Sequence, residues 1–155
     1  MQIDKITLAD QVYLYVEKRV SFEGSQIAEA MGAGFGQVHG WAEANGVALQ
    51  SMPISVYTEM PSGSQMTFRV GFFIDPNDAQ KATGDVSTET IAAGAVYKAT
   101  HIGPYASLNQ SHKALWDHME SDGAKPTMPV WETYIDDPAE TPEAKLRTEV
   151  YRKAG

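Results

Sequence analysis

Val96-Tyr97-Lys98-Ala99-Thr100-His101-Ile102-Gly103-Pro104-Tyr105 reads as a strand that turns a sharp corner into a helix. Gly103 permits the corner, and Pro104 suits a first helical turn, where its missing N–H costs nothing. The predicted helix starts at Tyr105 and runs to about residue 122. Leu108, His112, Leu115, Trp116 and Met119 form one stripe along it, and Gly123 ends it. A strand is expected over residues 128–136 and a last one over 146–152. Between them Asp137-Pro138-Ala139-Glu140-Thr141-Pro142-Glu143 is a polar loop.

The same order stands upstream. Residues 12–20, Val-Tyr-Leu-Tyr-Val-Glu-Lys-Arg-Val, are rich in β-branched and aromatic types and read as a strand. Phe22-Glu23-Gly24 makes a turn, and Ser25 is the expected N-cap of a helix reaching about residue 45. Ile27, Met31, Phe35, Val38 and Ala42 share one face of it, and Gly46 is its stop. Gly32, Gly34 and Gly36 weaken this helix by roughly 1 kcal/mol each relative to Ala. Strands over 53–60 and 66–74 should pair as a hairpin through Pro61-Ser62-Gly63-Ser64. Asp75-Pro76-Asn77-Asp78 closes this half.

Shared landmarks tie the halves together: Trp41 with Gly46 and Trp116 with Gly123, then Pro53 with Tyr57 and Pro129 with Tyr134. The repeat period is about seventy-five residues. The expectation is an α+β fold of duplicated βαββ units with pseudo-twofold symmetry. It has an antiparallel sheet, two helices and a central cleft at the seam, where pockets are favoured. The 155 residues suit a single domain, 1–155, with halves of about 10–76 and 86–153.

Bulk chemistry excludes several functions. The formal net charge is −8, and the basic pairs Lys18-Arg19 and Arg152-Lys153 read as solvated surface, so direct nucleic-acid binding is not expected. With no cysteine, disulfides, thiolate chemistry and Cys-based zinc sites are out. No apolar run could span a membrane, and the N-terminus lacks a secretory pattern, so a cytoplasmic location is expected. His39, His101, His112 and His118 show no metal-ligand spacing, and no cofactor is expected. Gly32-Ala33-Gly34-Phe35-Gly36 falls within a helix and is not a nucleotide loop. No serine sits in a nucleophile elbow.

Trp131-Glu132-Thr133-Tyr134 is the most informative segment for function. Alternation in a strand puts Glu132 and Tyr134 on one face, with Trp131 and Thr133 on the other. Glutamate is depleted in strands. On this pattern Glu132 is either a solvent-facing residue on an open sheet or a buried carboxylate needing a partner. A bound cation flanked by tyrosine rings would be such a partner. Tyr105, at the helix start, divides in the same way between corner and site.

The run Ala99-Thr100-His101-Ile102-Gly103-Pro104-Tyr105, the helix with Trp116, and Trp131-Glu132-Thr133-Tyr134-Ile135-Asp136-Asp137-Pro138 together resemble the GyrI-like small-molecule-binding domain. The closing Arg147-Thr148-Glu149-Val150-Tyr151 resembles that family's last strand. This is the effector-binding domain attached to many AraC- and MerR-type transcription regulators. The resemblance covers essentially the whole chain and is strongest from residue 95 onward. It implies a bacterial protein with an aromatic pocket that takes lipophilic or cationic compounds, multidrug binding included. Glu132 would supply the negative charge, and Tyr134, Tyr105 and Tyr151 would line the walls. Trp131, Trp41 and Tyr57 would contribute further aromatic surface.

No helix-turn-helix stretch is seen before residue 12 or after the last strand, so a stand-alone form is expected. Its role would be sensing or sequestration of a small molecule. A first alternative implied by the resemblance is a hydrolase of strained, cyclopropanoid-type toxins, with Glu132 as base and Tyr105 or Tyr134 as donor. A second is a protein-interaction role of the gyrase-inhibitor kind, with gyrase or a regulator as partner.

Overall fold

The computed structural model describes residues 1–21, 23–59 and 63–155. Among them are eight strands and two α-helices. In chain order these are β1 (Ile3–Leu8), β2 (Gln11–Ser21), α1 (Gly24–Asn45), β3 (Ile54–Tyr57), β4 (Gln65–Ile74), β5 (Ser87–Ile91), β6 (Gly94–Ile102), α2 (Leu108–Ser121), β7 (Pro126–Tyr134) and β8 (Arg147–Ala154). Short 3-10 turns lie at Pro76–Lys81, Tyr105–Ser107 and Glu143–Lys145. No helix among the described residues is long and apolar enough to cross a membrane.

The chain divides into two compact units, Asp10–Ala92 and Met1–Ala9 with Ala93–Gly155. The N-terminal unit runs β2-α1-β3-β4, and the C-terminal unit runs β6-α2-β7-β8. This is the duplicated βαββ order of an α+β fold. The sheet orders agree as well: β3-β4-β2-β5 in one unit and β7-β8-β6-β1 in the other, antiparallel throughout.

The outer strands β5 and β1 are additions that sequence patterning does not reveal. β1 has its apolar residues at Ile3, Ile6 and Leu8, which breaks a period of two. β5, Ser-Thr-Glu-Thr-Ile, ends on its one apolar residue. Each joins its sheet through backbone pairing along one neighbour, β1 with β6 and β5 with β2. Such pairing leaves little mark on side-chain choice.

Each helix covers one sheet face. Val38 and Ala42 of α1 are buried with Leu14, Val16, Phe68, Val70 and Phe72. Leu108, Leu115 and Met119 of α2 are buried with Tyr97, Ala99 and Val150. The predicted α2 stripe is therefore narrower than drawn from sequence. Ser111 is fully buried, whereas His112 and Trp116 stand on the flank.

Several boundaries differ from the sequence expectation. α1 begins at Gly24 after Glu23, so Ser25 lies inside the first turn and is not the cap. The corner turn through Phe22 and the hairpin turn through Pro61 and Ser62, with Met60 at the end of the expected strand, lie outside the described residues. The helix expected from Tyr105 opens as a 3-10 turn and becomes α-helical at Leu108. His101 causes this. Its Nε2 meets the Pro104 carbonyl at 3.0 Å and its Nδ1 meets Ser111 Oγ at 2.6 Å, which binds β6, the corner and α2 together. β7 ends at Tyr134 rather than 136, because Asp136 leaves the ladder to accept hydrogen bonds from Arg147 N, Nε and Nη2 at 2.8–3.0 Å.

Two glycines are required by close approach. A Cβ on Gly71 would sit 1.7 Å from the Leu14 carbonyl oxygen, and one on Gly34 would sit 2.1 Å from Val70 Cγ2. Nothing lies within 4 Å of such an atom on Gly32 or Gly36. In chemical denaturation Gly71→Ala, which meets backbone, should lose more than about 4 kcal/mol. Gly34→Ala, which meets a methyl, should lose about 1–3 kcal/mol. Gly32→Ala and Gly36→Ala should each gain up to about 1 kcal/mol. A neutral Gly71→Ala would contradict the packing described.

Candidate functional site

The site is fixed by register in the C-terminal unit. On the sheet face beneath α2, Ala99 of β6 lies opposite Val150 of β8, and Val150 lies opposite Glu132 of β7. Two residues along in one direction the row is His101, Thr148 and Tyr134. Two residues along in the other it is Tyr97, Arg152 and Val130. Val150 belongs to the core under α2, so Glu132, Tyr134 and Arg152 share the helix-covered face.

Glu132 is 5% exposed. The Tyr134 hydroxyl donates to its Oε1 at 2.6 Å, and His112 Nε2 of α2 meets its Oε2 at 2.5 Å. Tyr105, from the 3-10 turn, sets its ring edge-on to Tyr134 with centroids 5.5 Å apart. Tyr134 and Glu132 are buried, whereas Tyr105 is 38% exposed and His112 is partly exposed. The carboxylate thus lies behind a rim of two more accessible rings. Burial pushes the Tyr105 hydroxyl above its ordinary range. The negative charges of Asp136, Asp137 and Glu132, in that order, push it further. Tyr105 therefore stays a hydrogen-bond donor at neutral pH.

One turn of α2 beyond His112, Trp116 lies over Arg152, with the guanidinium carbon 5.0 Å from the ring centroid. Arg152 is 8% exposed, which corrects its reading as a solvated surface charge. It belongs to the helix-covered face, whereas its neighbour Lys153 points the other way.

The structure brings Glu132, Tyr134 and Tyr105 together. It sets Trp131 and Tyr151 on the opposite face of the same sheet, stacked at 5.1 Å with their planes 4° apart. There Tyr151 donates to Glu149 at 3.2 Å, and Lys98 forms an ion pair with Glu149 while lying 5.8 Å from the Tyr151 ring. Burial, then Glu149, raises the Tyr151 hydroxyl far above its ordinary range. Trp41 and Tyr57 belong to the N-terminal unit and lie half-buried against its core. Tyr57 contacts Phe68 at 6.2 Å between centroids.

A depression of about 380 Å³ lies in the N-terminal unit, lined by Glu17, Lys18, Arg19, Thr58, Glu59, Thr67 and Arg69. None of the candidate residues lines it. It carries charges of both signs, with Arg69 and Glu17 paired at 3.3 Å, and it reads as a surface groove. His112 is the member of this cluster that sequence reasoning passed over. It stood in the α2 stripe, but nothing linear connects it to Glu132 twenty residues away.

A family model described as GyrI-like small molecule binding domain matches residues 1–153. A sequence comparison with curated proteins yields no significant match. Among solved structures, the chain is similar to EcmrR in its complex with DNA, with 21% identity and a TM-score of 0.79, covering 99% of this chain and 57% of that one. The chain thus spans little more than half the length of that protein. It is similar to the EcmrR C-terminal domain, with 23% identity and a TM-score of 0.77, covering 99% of this chain and 97% of that one. It is also similar to SAV2435 bound to tetraphenylphosphonium, with 16% identity and a TM-score of 0.65, covering 100% of this chain and 94% of that one.

The electrostatics around Tyr105 are open to measurement. With tyrosine ring carbons labelled for NMR titration, Tyr105 should lose its proton above the ordinary tyrosine value of about 10. Asp136→Asn should bring it down more than Glu132→Gln, following the order of the two charges. An unchanged Tyr105 in both variants would remove the charges as a cause.

Proposed function

The chain belongs to the GyrI-like small molecule binding domain family, and we propose that it takes a small lipophilic cation at Glu132 of the C-terminal unit. One observation carries this reading: a glutamate 5% exposed, set in mid-strand under a helix and rimmed by tyrosine rings. A carboxylate is costly to bury, and a fold that needed only packing here would use an apolar residue. The Tyr134 hydroxyl donates to Glu132 and so holds its carboxylate in place. The rings of Tyr105 and Tyr134 offer apolar area and cation–π attraction of about 0.5–2 kcal/mol each to a desolvated cation.

His112 sets the terms of access. Its Nε2 occupies the outer oxygen of Glu132, and it is the more exposed of the pair. A cation reaching that oxygen competes with the imidazole for it. SAV2435, a structural neighbour, is a protein bound to tetraphenylphosphonium, and that cation is the natural probe.

A hydrolase reading uses the same group. The 2.5 Å contact between His112 and Glu132 favours it, because a carboxylate that orients an imidazole is a common device of general-base chemistry. Glu132 or His112 would then activate water, with Tyr105 as donor to the leaving group. Product formed from a cyclopropanoid electrophile, followed by NMR and abolished in both His112→Gln and Glu132→Gln, is the outcome that reading requires.

Binding is tested by titration calorimetry with tetraphenylphosphonium and with neutral triphenylphosphine oxide. Glu132→Gln should weaken the cation about tenfold or more, or about 1.4 kcal/mol, and leave the neutral probe nearly unchanged. An equal loss for both probes in Glu132→Gln would sink the reading.

A further inference from the structure

Arg152 is 8% exposed, within the range of the core residues, yet among the described residues it pairs with no carboxylate. Among the described residues its Nε has no hydrogen-bond partner, and no ion pair includes it. Its guanidinium lies against the face of Trp116, and Trp116 is itself 37% exposed. Arg69 of the N-terminal unit, partly buried on the sheet face away from α1, is treated differently. It donates to the Tyr13 hydroxyl oxygen at 3.0 Å and to Glu17 at 3.3 Å, forms an ion pair with Glu89 at 3.7 Å, and lies over the Tyr15 ring. Burial with no compensating charge lowers the pKa of Arg152.

The duplication provides an internal control. Val70 in β4 and Val150 in β8 both lie under their unit's helix. Opposite them on the outer strand stand Ser55 and Glu132. Two residues along the inner strand stand Phe72 and Arg152. Phe72 meets Phe35 and His39 of α1, the counterparts by helical spacing of His112 and Trp116. Where the C-terminal unit has Glu132, Arg152 and His112, the N-terminal unit has Ser55, Phe72 and Phe35. The same scaffold therefore packs this seam with no carboxylate and no guanidinium. The charges in the C-terminal seam are not a requirement of the βαββ unit.

We propose that Arg152, under Trp116, is an anion subsite in the same seam as Glu132, and that the ligand is a small aromatic molecule bearing a carboxylate or similar anion at one end and a cation at the other. The planar fork of a guanidinium suits a carboxylate. Trp116 engages the face of the guanidinium rather than its edge, and among the described residues the buried Nε makes no hydrogen bond. The two charges stand on diagonal neighbours of an antiparallel pair, about 7–8 Å apart at the backbone. The half-exposed Trp116 ring forms the outer wall at the anionic end, as Tyr105 does at the cationic end. The cationic half of this ligand rests on the reading of Glu132 given above, whereas the anionic half stands on Arg152 alone.

Three probes of one size separate the two halves: para-methylbenzylamine, para-toluate and para-(aminomethyl)benzoate, titrated into the full chain. The amino acid should bind about tenfold or more tighter than either single-charge probe. Toluate should move the Nε–H resonance of Arg152 in a nitrogen-edited NMR spectrum. Arg152→Met should remove toluate binding and the tenfold advantage, and leave the amine unchanged. Arg152→Lys, which keeps the charge but not the fork, should restore part of it. The NMR readout is made on the unaltered protein, so it decides even where a variant does not fold.

Toluate that leaves Arg152 unmoved, with an amino acid no tighter than the amine, overturns the proposal. If neither tetraphenylphosphonium nor the amine binds while toluate still moves Arg152, the reading of Glu132 falls and the anion subsite stands. Amine binding that is indifferent to Arg152→Met, with toluate also unaffected, leaves Glu132 in place and removes Arg152.

Discussion

Val150 lies wholly buried beneath α2, and the antiparallel register of β7 on β8 puts Glu132 directly beside it. Much of the site depends on that register. A slip of one residue would turn Glu132 to the other face and drive Trp131 under the helix. The register is held from both sides. Trp131 stacks on Tyr151 across the same strand pair, one residue out of phase with Glu132 and Val150. The indole is almost fully buried, so its packing resists the slip that would misplace the carboxylate. Trp131 and Tyr151 thus serve the site from the far face of the sheet, by fixing which way Glu132 points.

The second constraint is the attachment of α2. His101 at the end of β6 bonds the corner carbonyl of Pro104 on one side and Ser111 of α2 on the other. That places the helix start. Tyr105 then falls beside Tyr134, and His112, one residue past Ser111, falls beside Glu132. A polar buried tether costs desolvation, yet it specifies position more sharply than an apolar contact does. The same residues that make the corner legible as a fold motif therefore also set the rim of the site.

Legibility in the sequence followed side-chain periodicity. The alternation in Trp131-Glu132-Thr133-Tyr134 assigned faces correctly, because successive side chains of a strand point to opposite faces whatever covers them. It could not say whether a helix covered the Glu132 face, since cover comes from a segment twenty residues upstream. His112 was visible on the α2 stripe but indistinguishable there from core. Arg152 was misread because a basic dipeptide in a strand has one member on each face, and only Lys153 fits the surface reading. The outer strands β1 and β5 were invisible for another reason. They are held by backbone pairing along one neighbour, and Ser87-Thr88-Glu89-Thr90-Ile91 shows how little apolar pattern such a strand needs.

The polarity of the C-terminal seam is where the two units part. A βαββ unit can fill this seam with rings and small residues, as Phe35, Ser55 and Phe72 do in the N-terminal half. Exchanging them for a histidine, a glutamate and an arginine brings desolvation costs that folding alone does not repay. Those costs are met in the folded protein before any ligand arrives, so a ligand with matching charges meets donors and acceptors already oriented. Preorganisation of this kind favours a complementary ligand over water, whose dipoles must reorient around each new charge. It also discriminates. A molecule lacking the matching charge leaves a buried polar group poorly served, a larger penalty than any mismatch of apolar shape. Under the proposed reading, specificity would follow from the charge pattern of one helix–sheet seam, on a scaffold whose twin half shows what the fold looks like without it.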